Sequence, residues 1–189
     1  MADFATLLSL PAAERISGLA EAIKHGLIAA PDILDRVESD TVLDLAWLIP
    51  RSVRVKIEVV QEDPFERGRR AELNLGHTFG HALENLSGYR LRHGEAVSIG
   101  MVAACRVAAR LGLCAPELAG RMEAILRKVE LPVRHAGYEA EAIWAAMASD
   151  KKRKGGKLRF ILPVRPGQML ITDQVPQSLV LEIMRELAE

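Results

Sequence analysis

The segment Gly94–Leu111, GEAVSIGMVAACRVAARL, sets the fold class that the rest of the chain has to fit. Its length suits a helix, and Ala, Gly and Ser stand between its apolar residues. Small side chains allow neighbouring backbones to approach closely. We therefore expect this segment to be a helix at the centre of the molecule, packed against other helices.

Helical patterns continue on both sides of this segment, separated by breaks that contain proline or glycine. We predict further helices over residues 11–29, 32–38, 41–47, 52–62, 66–86, 116–129, 139–149 and 176–187. Residues 157–162 and 168–172 favour two strands, with 163–167 as their connection. The sequence thus predicts a mainly α fold with one small β-hairpin near residues 157–172, in a single domain.

The composition argues against several classes of protein. Of the 189 residues 49% are hydrophobic and 26% charged, which is typical of a soluble globular domain. The formal net charge is zero, so we expect neither a nucleic acid nor a membrane surface as partner. The two cysteines, nine positions apart, form no disulfide framework or Cys-based zinc motif. With no signal peptide and no apolar run of roughly 20 residues, we expect a cytoplasmic location.

Three of the five histidines lie within seventeen positions, in NLGHTFGH at 74–81 and in LRHGE at 91–95. His77 and His81 are four residues apart and so share one helix face. Imidazole is a common zinc ligand, and catalytic zinc usually has three protein ligands and an open position. A glycine adjoins each of the three histidines, which favours close approach of a metal, a substrate or a second helix over a merely structural role.

Spacing alone nominates His77 and His81 as a metal pair and leaves the third ligand open. His93 is one candidate, and Glu21, three residues before Lys24 on an apolar helix, is the other. An exposed ion pair between Glu21 and Lys24 is the structural alternative, worth only a few tenths of a kcal/mol.

Around these residues the chain resembles the 3-dehydroquinate synthases. The matching segments are GLAEAIKHGLI at 18–28, RRAELNLGHTFGHALE at 69–84, HGEAVSIGM at 93–101 and DKKRKGGKLRFILP at 150–163. GHTFGHA followed by HGEAV at this spacing is highly specific. The chain carries no glycine-rich dinucleotide turn, so we expect NAD⁺ to bind mainly to an N-terminal domain that is absent here.

The resemblance assigns roles that spacing alone leaves open. It implies the helical C-terminal domain of the dehydroquinate synthase and iron-containing alcohol dehydrogenase type, with Zn²⁺ or Co²⁺ held by Glu21, His77 and His93. His81 then lies on the phosphate side of the substrate rather than on the metal. Further positions match substrate-binding residues of the family: Lys24, Lys56, Arg70, Asn74 and Lys152, with Lys151 the alternative to Lys152. His81, Lys152, Asn74 and Glu66 are the implied catalytic residues.

The function implied by the resemblance is conversion of 3-deoxy-D-arabino-heptulosonate 7-phosphate to 3-dehydroquinate and phosphate, a step of aromatic amino acid biosynthesis. The implied partners are this phosphorylated sugar acid, the chain's own NAD-binding domain and a second copy in a homodimer. Without that domain we expect the chain to be inactive alone.

Three other functions remain open from the sequence. One is a different sugar phosphate cyclase, of the 2-deoxy-scyllo-inosose or valiolone type. The second is a zinc-binding helical module without catalysis. The third is a zinc-dependent alcohol or glycerol dehydrogenase of related fold, in which the combination of GHTFGHA and DKK is not expected.

Overall fold

The computed structural model describes residues 4–66, 68–153 and 158–189, and it confirms a mainly helical fold with one antiparallel hairpin. The α-helices are α1 (Ala12–Ala29), α2 (Pro31–Ser39), α3 (Leu45–Glu62), α4 (His77–Leu86), α5 (His93–Arg110), α6 (Glu117–Lys128), α7 (Ala140–Arg153) and α8 (Gln177–Glu186). The strands are β1 (Phe160–Arg165) and β2 (Gln168–Thr172), and 3₁₀ helices span Phe4–Ser9 and Arg69–Asn74. In the described part of the chain, no helix combines the length and hydrophobicity needed to cross a bilayer.

Helix α5 is the centre of the core, as its small residues predicted. Thirteen of its eighteen residues are buried, and it contacts α1, α4, α6, α8 and β1. A Cβ added at Gly100 would lie 2.0 Å from the carbonyl oxygen of Gly76, and one at Gly94 would lie 1.9 Å from that of Ser17. These glycines therefore let α4 and α1 reach the backbone of α5, and both contacts lie close to candidate site residues.

The predicted continuous helix over residues 66–86 is wrong. Glu66 has a left-handed backbone (φ 54°), a 3₁₀ helix follows, and Gly76 is again left-handed with φ 80°. A left-handed residue cannot continue an α-helix, so α4 begins only at His77. The break lets Gly76 pack against α5 and places His77 at the start of a new helix.

In place of the two short helices predicted at 41–47 and 52–62 there is one helix, α3, which begins only at Leu45 and continues through Pro50 to Glu62. Asp44 caps it by accepting hydrogen bonds from the backbone N–H groups of Ala46 and Trp47. Proline removes the bond that would end at the carbonyl of Ala46. Because Ala46 and Pro50 are both exposed, water can solvate that carbonyl, and the helix continues.

The hairpin is confirmed, but its predicted connection at 163–167 is too long. β1 continues through Pro163 to Arg165, and only Pro166 and Gly167 connect the strands. In a two-stranded sheet every strand is an edge, where proline is tolerated. The backbone N–H of Gly167 donates to the carbonyl of Leu27 (2.8 Å), which fixes the turn to the end of α1.

Candidate metal and substrate site

Three of the predicted residues come together from three helices. Glu21 lies on α1, His77 is the first residue of α4 and His93 is the first residue of α5. One ligand atom from each lies within 4.8 Å of the others. The Nε2 atoms of His77 and His93 are 4.0 and 3.8 Å from Oε1 of Glu21.

The opposite nitrogen of each imidazole has its own acceptor. Nδ1 of His77 is 3.1 Å from the carbonyl oxygen of Leu75, and Nδ1 of His93 is 3.3 Å from Oε1 of Glu84. A proton on Nδ1 satisfies both contacts and leaves the Nε2 lone pairs directed toward Glu21. Metal-binding histidines in proteins show this arrangement.

Lys24 holds the carboxylate of Glu21 in a charged state. Lys24 is only 2% exposed, and its ammonium group donates to both carboxylate oxygens at 2.9 and 2.7 Å. Burial would raise the pKa of Glu21, but the charge and hydrogen bond of Lys24 keep it below its ordinary value. Burial in turn lowers the pKa of Lys24, against the attraction of Glu21.

His77 is prepared to bind a cation at neutral pH. Burial, followed by the positive charge of Lys24, lowers its pKa to about 4, so the ring is neutral. A metal ligand must be a neutral imidazole or an ionised carboxylate, and His77 and Glu21 both meet this requirement. Two imidazole nitrogens and one carboxylate oxygen suit Zn²⁺ or Co²⁺, and three ligands leave a position for substrate.

A second group of possible ligands shares His93. His81, Glu84 and His93 also bring one ligand atom each within 4.8 Å of one another. Glu84 was not among the predicted site residues, although its position three residues after His81 on the same helix face was the available signal. The ring centroids of His77 and His81 are 5.3 Å apart, so the structure brings all three histidines of the motif together.

A cleft of about 370 Å³ lies beside the cluster, and most of the predicted catalytic residues line it. Its wall includes Glu66, Asn74, His77 and His81. The side-chain amide of Asn74 donates to Oε1 of Glu66 (3.2 Å), which connects the left-handed residue to the 3₁₀ helix. The wall also includes Thr78, which was not predicted, and Arg159, the last cation of the basic run at 151–159; the Thr78 hydroxyl donates to the Arg159 carbonyl (3.1 Å).

Among the described residues, the predicted cations Lys56 and Arg70 do not line this cleft. Lys56 is exposed on α3, and its charge contributes to the lowered pKa of Lys24. Nη1 of Arg70 donates to the carbonyl of Pro64 (2.7 Å), so this guanidinium contacts the preceding loop. Lys151 and Lys152 belong to the last turn of α7, a helix that reaches the cleft through Met147, but their side chains lie outside the described residues.

A buried histidine next to Lys24 gives the fold an acid-sensitive contact. Nδ1 of His25 lies 2.7 Å from the hydroxyl of Ser52 and joins α1 to α3. Burial, followed by the charge of Lys24, lowers the pKa of His25 from 6.5 to about 4. The unfolded chain therefore binds this proton at a higher pH than the folded chain does, and stability falls as the pH drops from 6.5 to 4.

We expect His25→Asn to remove part of this acid sensitivity. Asparagine cannot take up the proton, so the loss of unfolding free energy between pH 7 and pH 4.5 should be smaller by about 2 kcal/mol. Urea denaturation at both pH values measures this difference, and any pH-independent cost of the substitution cancels. Equal losses in the two proteins would show that His25 is not the titrating group.

Comparison with known proteins identifies the family. The family model described as 3-dehydroquinate synthase C-terminal matches residues 18–153, a range that contains Glu21, His77 and His93. This chain belongs to the 3-dehydroquinate synthase C-terminal family. The 3-dehydroquinate synthase of Synechococcus sp. (strain ATCC 27144) is 46% identical over an alignment of 197 positions, which covers 98% of this chain and 54% of that protein. The 3-dehydroquinate synthase of Rhizobium meliloti (strain 1021) is 44% identical over an alignment of 200 positions, which covers 98% of this chain and 53% of that protein.

Solved structures agree with this family assignment. A 2-epi-5-epi-valiolone synthase from Streptomyces hygroscopicus subsp. jinggangensis 5008, with NAD⁺ and Zn²⁺ bound, aligns with a TM-score of 0.84 at 26% identity. The alignment covers 95% of this chain and 52% of the chain in that structure. A 2-deoxy-scyllo-inosose synthase complexed with carbaglucose-6-phosphate, NAD⁺ and Co²⁺ gives 0.74 at 26% identity, over 90% of this chain and 51% of the other. The chain thus spans about half the length of the relatives it matches.

Proposed function

We propose that the chain is the metal- and substrate-binding half of a 3-dehydroquinate synthase, a carbon–oxygen lyase of the shikimate pathway. The substrate would be 3-deoxy-D-arabino-heptulosonate 7-phosphate, and the products 3-dehydroquinate and phosphate. The observation that carries the proposal is the convergence of Glu21, His77 and His93 beside a polar cleft, within a chain of this family.

The cofactors would supply the chemistry that these side chains lack. Glu21, His77 and His93 would hold a Zn²⁺ or Co²⁺ ion, which would supply a Lewis acid to lower the pKa of a substrate hydroxyl. NAD⁺ would supply the hydride acceptor and donor, and it would bind mainly to residues outside this chain. Related cyclases solved with NAD⁺ and Zn²⁺ or Co²⁺ support both assignments.

The chain's own residues would bind and orient the two anionic ends of the substrate. Lys24 keeps Glu21 ionised and, with Lys56, places positive charge next to the metal ligands. Asn74 and Glu66 offer an amide and a carboxylate to substrate hydroxyls from the cleft wall. Arg70 would bind the substrate carboxylate through guanidinium N–H groups other than the one that donates to the Pro64 carbonyl. His81 and Lys152 would hold the phosphate, which can itself accept the proton removed during its elimination.

Complementation tests the proposed function. The chain alone should release no phosphate from the substrate, because no hydride acceptor is bound. Mixed with a separately produced NAD-binding domain, NAD⁺ and Zn²⁺, it should release phosphate and form 3-dehydroquinate, and a Glu21→Ala chain in the same mixture should not. A mixture that assembles and binds Zn²⁺ but gives no turnover would favour a zinc-binding module without catalysis.

His81→Ala should separate catalysis from metal binding in the complemented enzyme. We expect kcat to fall by about 10²- to 10⁴-fold, the range for loss of a group that handles protons. The affinity for Zn²⁺ should change by less than about tenfold, the lower end of the effect of outer-shell residues. A loss of Zn²⁺ affinity as large as that of kcat would instead support the metal pair His77 and His81.

A second candidate function is that of another sugar phosphate cyclase, which the likeness to the valiolone and inosose synthases favours. Arg70, Asn74 and the DKK segment favour dehydroquinate synthase, because its substrate keeps a carboxylate that a cation can bind. A panel of the three substrates on the complemented enzyme distinguishes them. Sedimentation of the same complex tests the proposed homodimer.

A further inference from the structure

We propose that Glu84 is a positioning residue that fixes the tautomer and ring orientation of His93. The inference rests on the proposed metal site, of which His93 is one ligand. Its basis is the contact between Oε1 of Glu84 and Nδ1 of His93 (3.3 Å), on the side of the ring away from Glu21.

His93 needs such a partner more than His77 does. His77 lies in a partly buried position, with 14% of its side chain exposed, and takes its acceptor from the nearby carbonyl of Leu75. His93 is 47% exposed and is the first residue of α5, so packing restrains its ring less than that of His77. Holding a ligand in one geometry before the metal arrives avoids the entropic cost of ordering it.

Glu84 is suited to this role by its position and burial. Its side chain is 14% exposed on α4, the helix that begins with His77. One helix therefore supplies a metal ligand at its start and, seven residues later, the acceptor for a second ligand. Glu95, two residues after His93 in the sequence, is engaged elsewhere: it accepts from the backbone N–H of Arg92 (2.8 Å) and pairs with its guanidinium.

The alternative is that Glu84 is itself a ligand, in the group formed by His81, Glu84 and His93. The two roles exclude each other at the contact between Glu84 and Nδ1. An Nδ1 atom that donates a hydrogen bond to Glu84 carries a proton and has no lone pair for a metal. With Nδ1 protonated, only Nε2 of His93 can coordinate, and it faces Glu21.

Two measurements on the chain test the role of Glu84. ¹⁵N NMR of the metal-free protein at pH 8 reports which nitrogen of His93 carries the proton, and competition with a chelator measures the affinity for Zn²⁺. In the wild-type chain we expect the proton on Nδ1. In Glu84→Ala we expect a shift toward the Nε2–H tautomer and a 10- to 100-fold loss of Zn²⁺ affinity, the usual effect of removing such a partner.

Two further variants separate positioning from a general structural effect. Glu84→Gln keeps an oxygen that can accept from Nδ1, so it should retain the tautomer and recover part of the affinity lost in Glu84→Ala. Glu123→Ala is the matched control, because Glu123 is similarly buried (19% of its side chain exposed) but pairs with Arg106 on the far side of α5. It should change neither measurement.

The outcomes distinguish this inference from the proposed function. If the wild-type chain binds Zn²⁺ and Glu84→Ala binds it equally well with an unchanged tautomer, the role of Glu84 is wrong and the metal site stands. A wild-type stoichiometry of two Zn²⁺ that falls to one in Glu84→Ala would make Glu84 a ligand and overturn the inference. A wild-type chain that binds no Zn²⁺ would overturn the metal site and the inference together.

Discussion

Replacing His77 with alanine is expected to lower the affinity of the chain for Zn²⁺ by more than about 100-fold, beyond the usual effect of an outer-shell partner. His77 is the most enclosed of the three proposed ligands, and its lowered pKa of about 4 keeps its nitrogen available at neutral pH. The metal-free protein should lose only about 1 kcal/mol of unfolding free energy, since the hydrogen bond between the ring and the Leu75 carbonyl is local. Chelator competition and urea denaturation of the metal-free chain measure the two effects.

His81→Ala is the matched control for the His77→Ala prediction. His81 lies on the same helix face, with its ring centroid 5.3 Å from that of His77, and carries the same side chain. If the metal site is formed by Glu21, His77 and His93, the His81 variant should bind Zn²⁺ nearly as well as the wild-type chain. Similar losses in the two variants would mean that the metal lies between His77 and His81.

Replacing Gly100 with alanine is expected to destabilise the chain by about 3 kcal/mol or more, at the upper end of the cost of overpacking a core. The new Cβ would lie 2.0 Å from the carbonyl oxygen and 2.8 Å from the carbonyl carbon of Gly76. Both are backbone atoms, so no side chain can rotate away, and α4 would have to move from α5. Since His77 follows Gly76 directly, Zn²⁺ affinity should fall as well. Urea denaturation and chelator competition test the two parts.

Gly120→Ala is the matched control for this substitution. Gly120 lies within α6 and is exposed, and a Cβ added there meets nothing within 4 Å. Alanine in a helix interior is favoured over glycine by about 0.5–1 kcal/mol, so this variant should be slightly more stable than the wild-type chain. Equal stability of Gly100→Ala and Gly120→Ala would show that the contact between α4 and α5 is looser than described.

Features governed by local chemistry could be predicted from the sequence. The small residues of Gly94–Leu111 placed α5 at the centre, and the β-rich pattern near residues 157–172 gave the hairpin. The prediction of one helix over 66–86 was wrong because the spacing of apolar residues does not reveal the left-handed backbone conformations of Glu66 and Gly76. A glycine directly before the histidine motif was the signal for the break, but the contact with α5 that requires it is a tertiary feature.

The candidate site likewise combines features that the sequence predicts with features that depend on tertiary packing. Spacing predicts that His77 and His81 share a helix face, but it cannot place Glu21, 56 positions before His77. The family resemblance supplied Glu21 as a ligand, and the structure brings its carboxylate to the two imidazoles. Glu84 was missed because its role depends on His93, which only the packing of α4 on α5 brings close. Arg159 belongs to a basic run that the sequence shows, but its place in the cleft wall depends on its contact with Thr78 of α4, which is a tertiary feature.

Anomalous diffraction at the zinc absorption edge, from crystals of the chain grown with Zn²⁺, tests the metal site most directly. We expect one strong peak at coordination distance, about 2.0–2.2 Å, from a carboxylate oxygen of Glu21 and from Nε2 of both His77 and His93. We also expect Nδ1 of His93 to remain hydrogen-bonded to Glu84. A peak coordinated by His81 and Glu84, with none at Glu21, would contradict the proposed metal site.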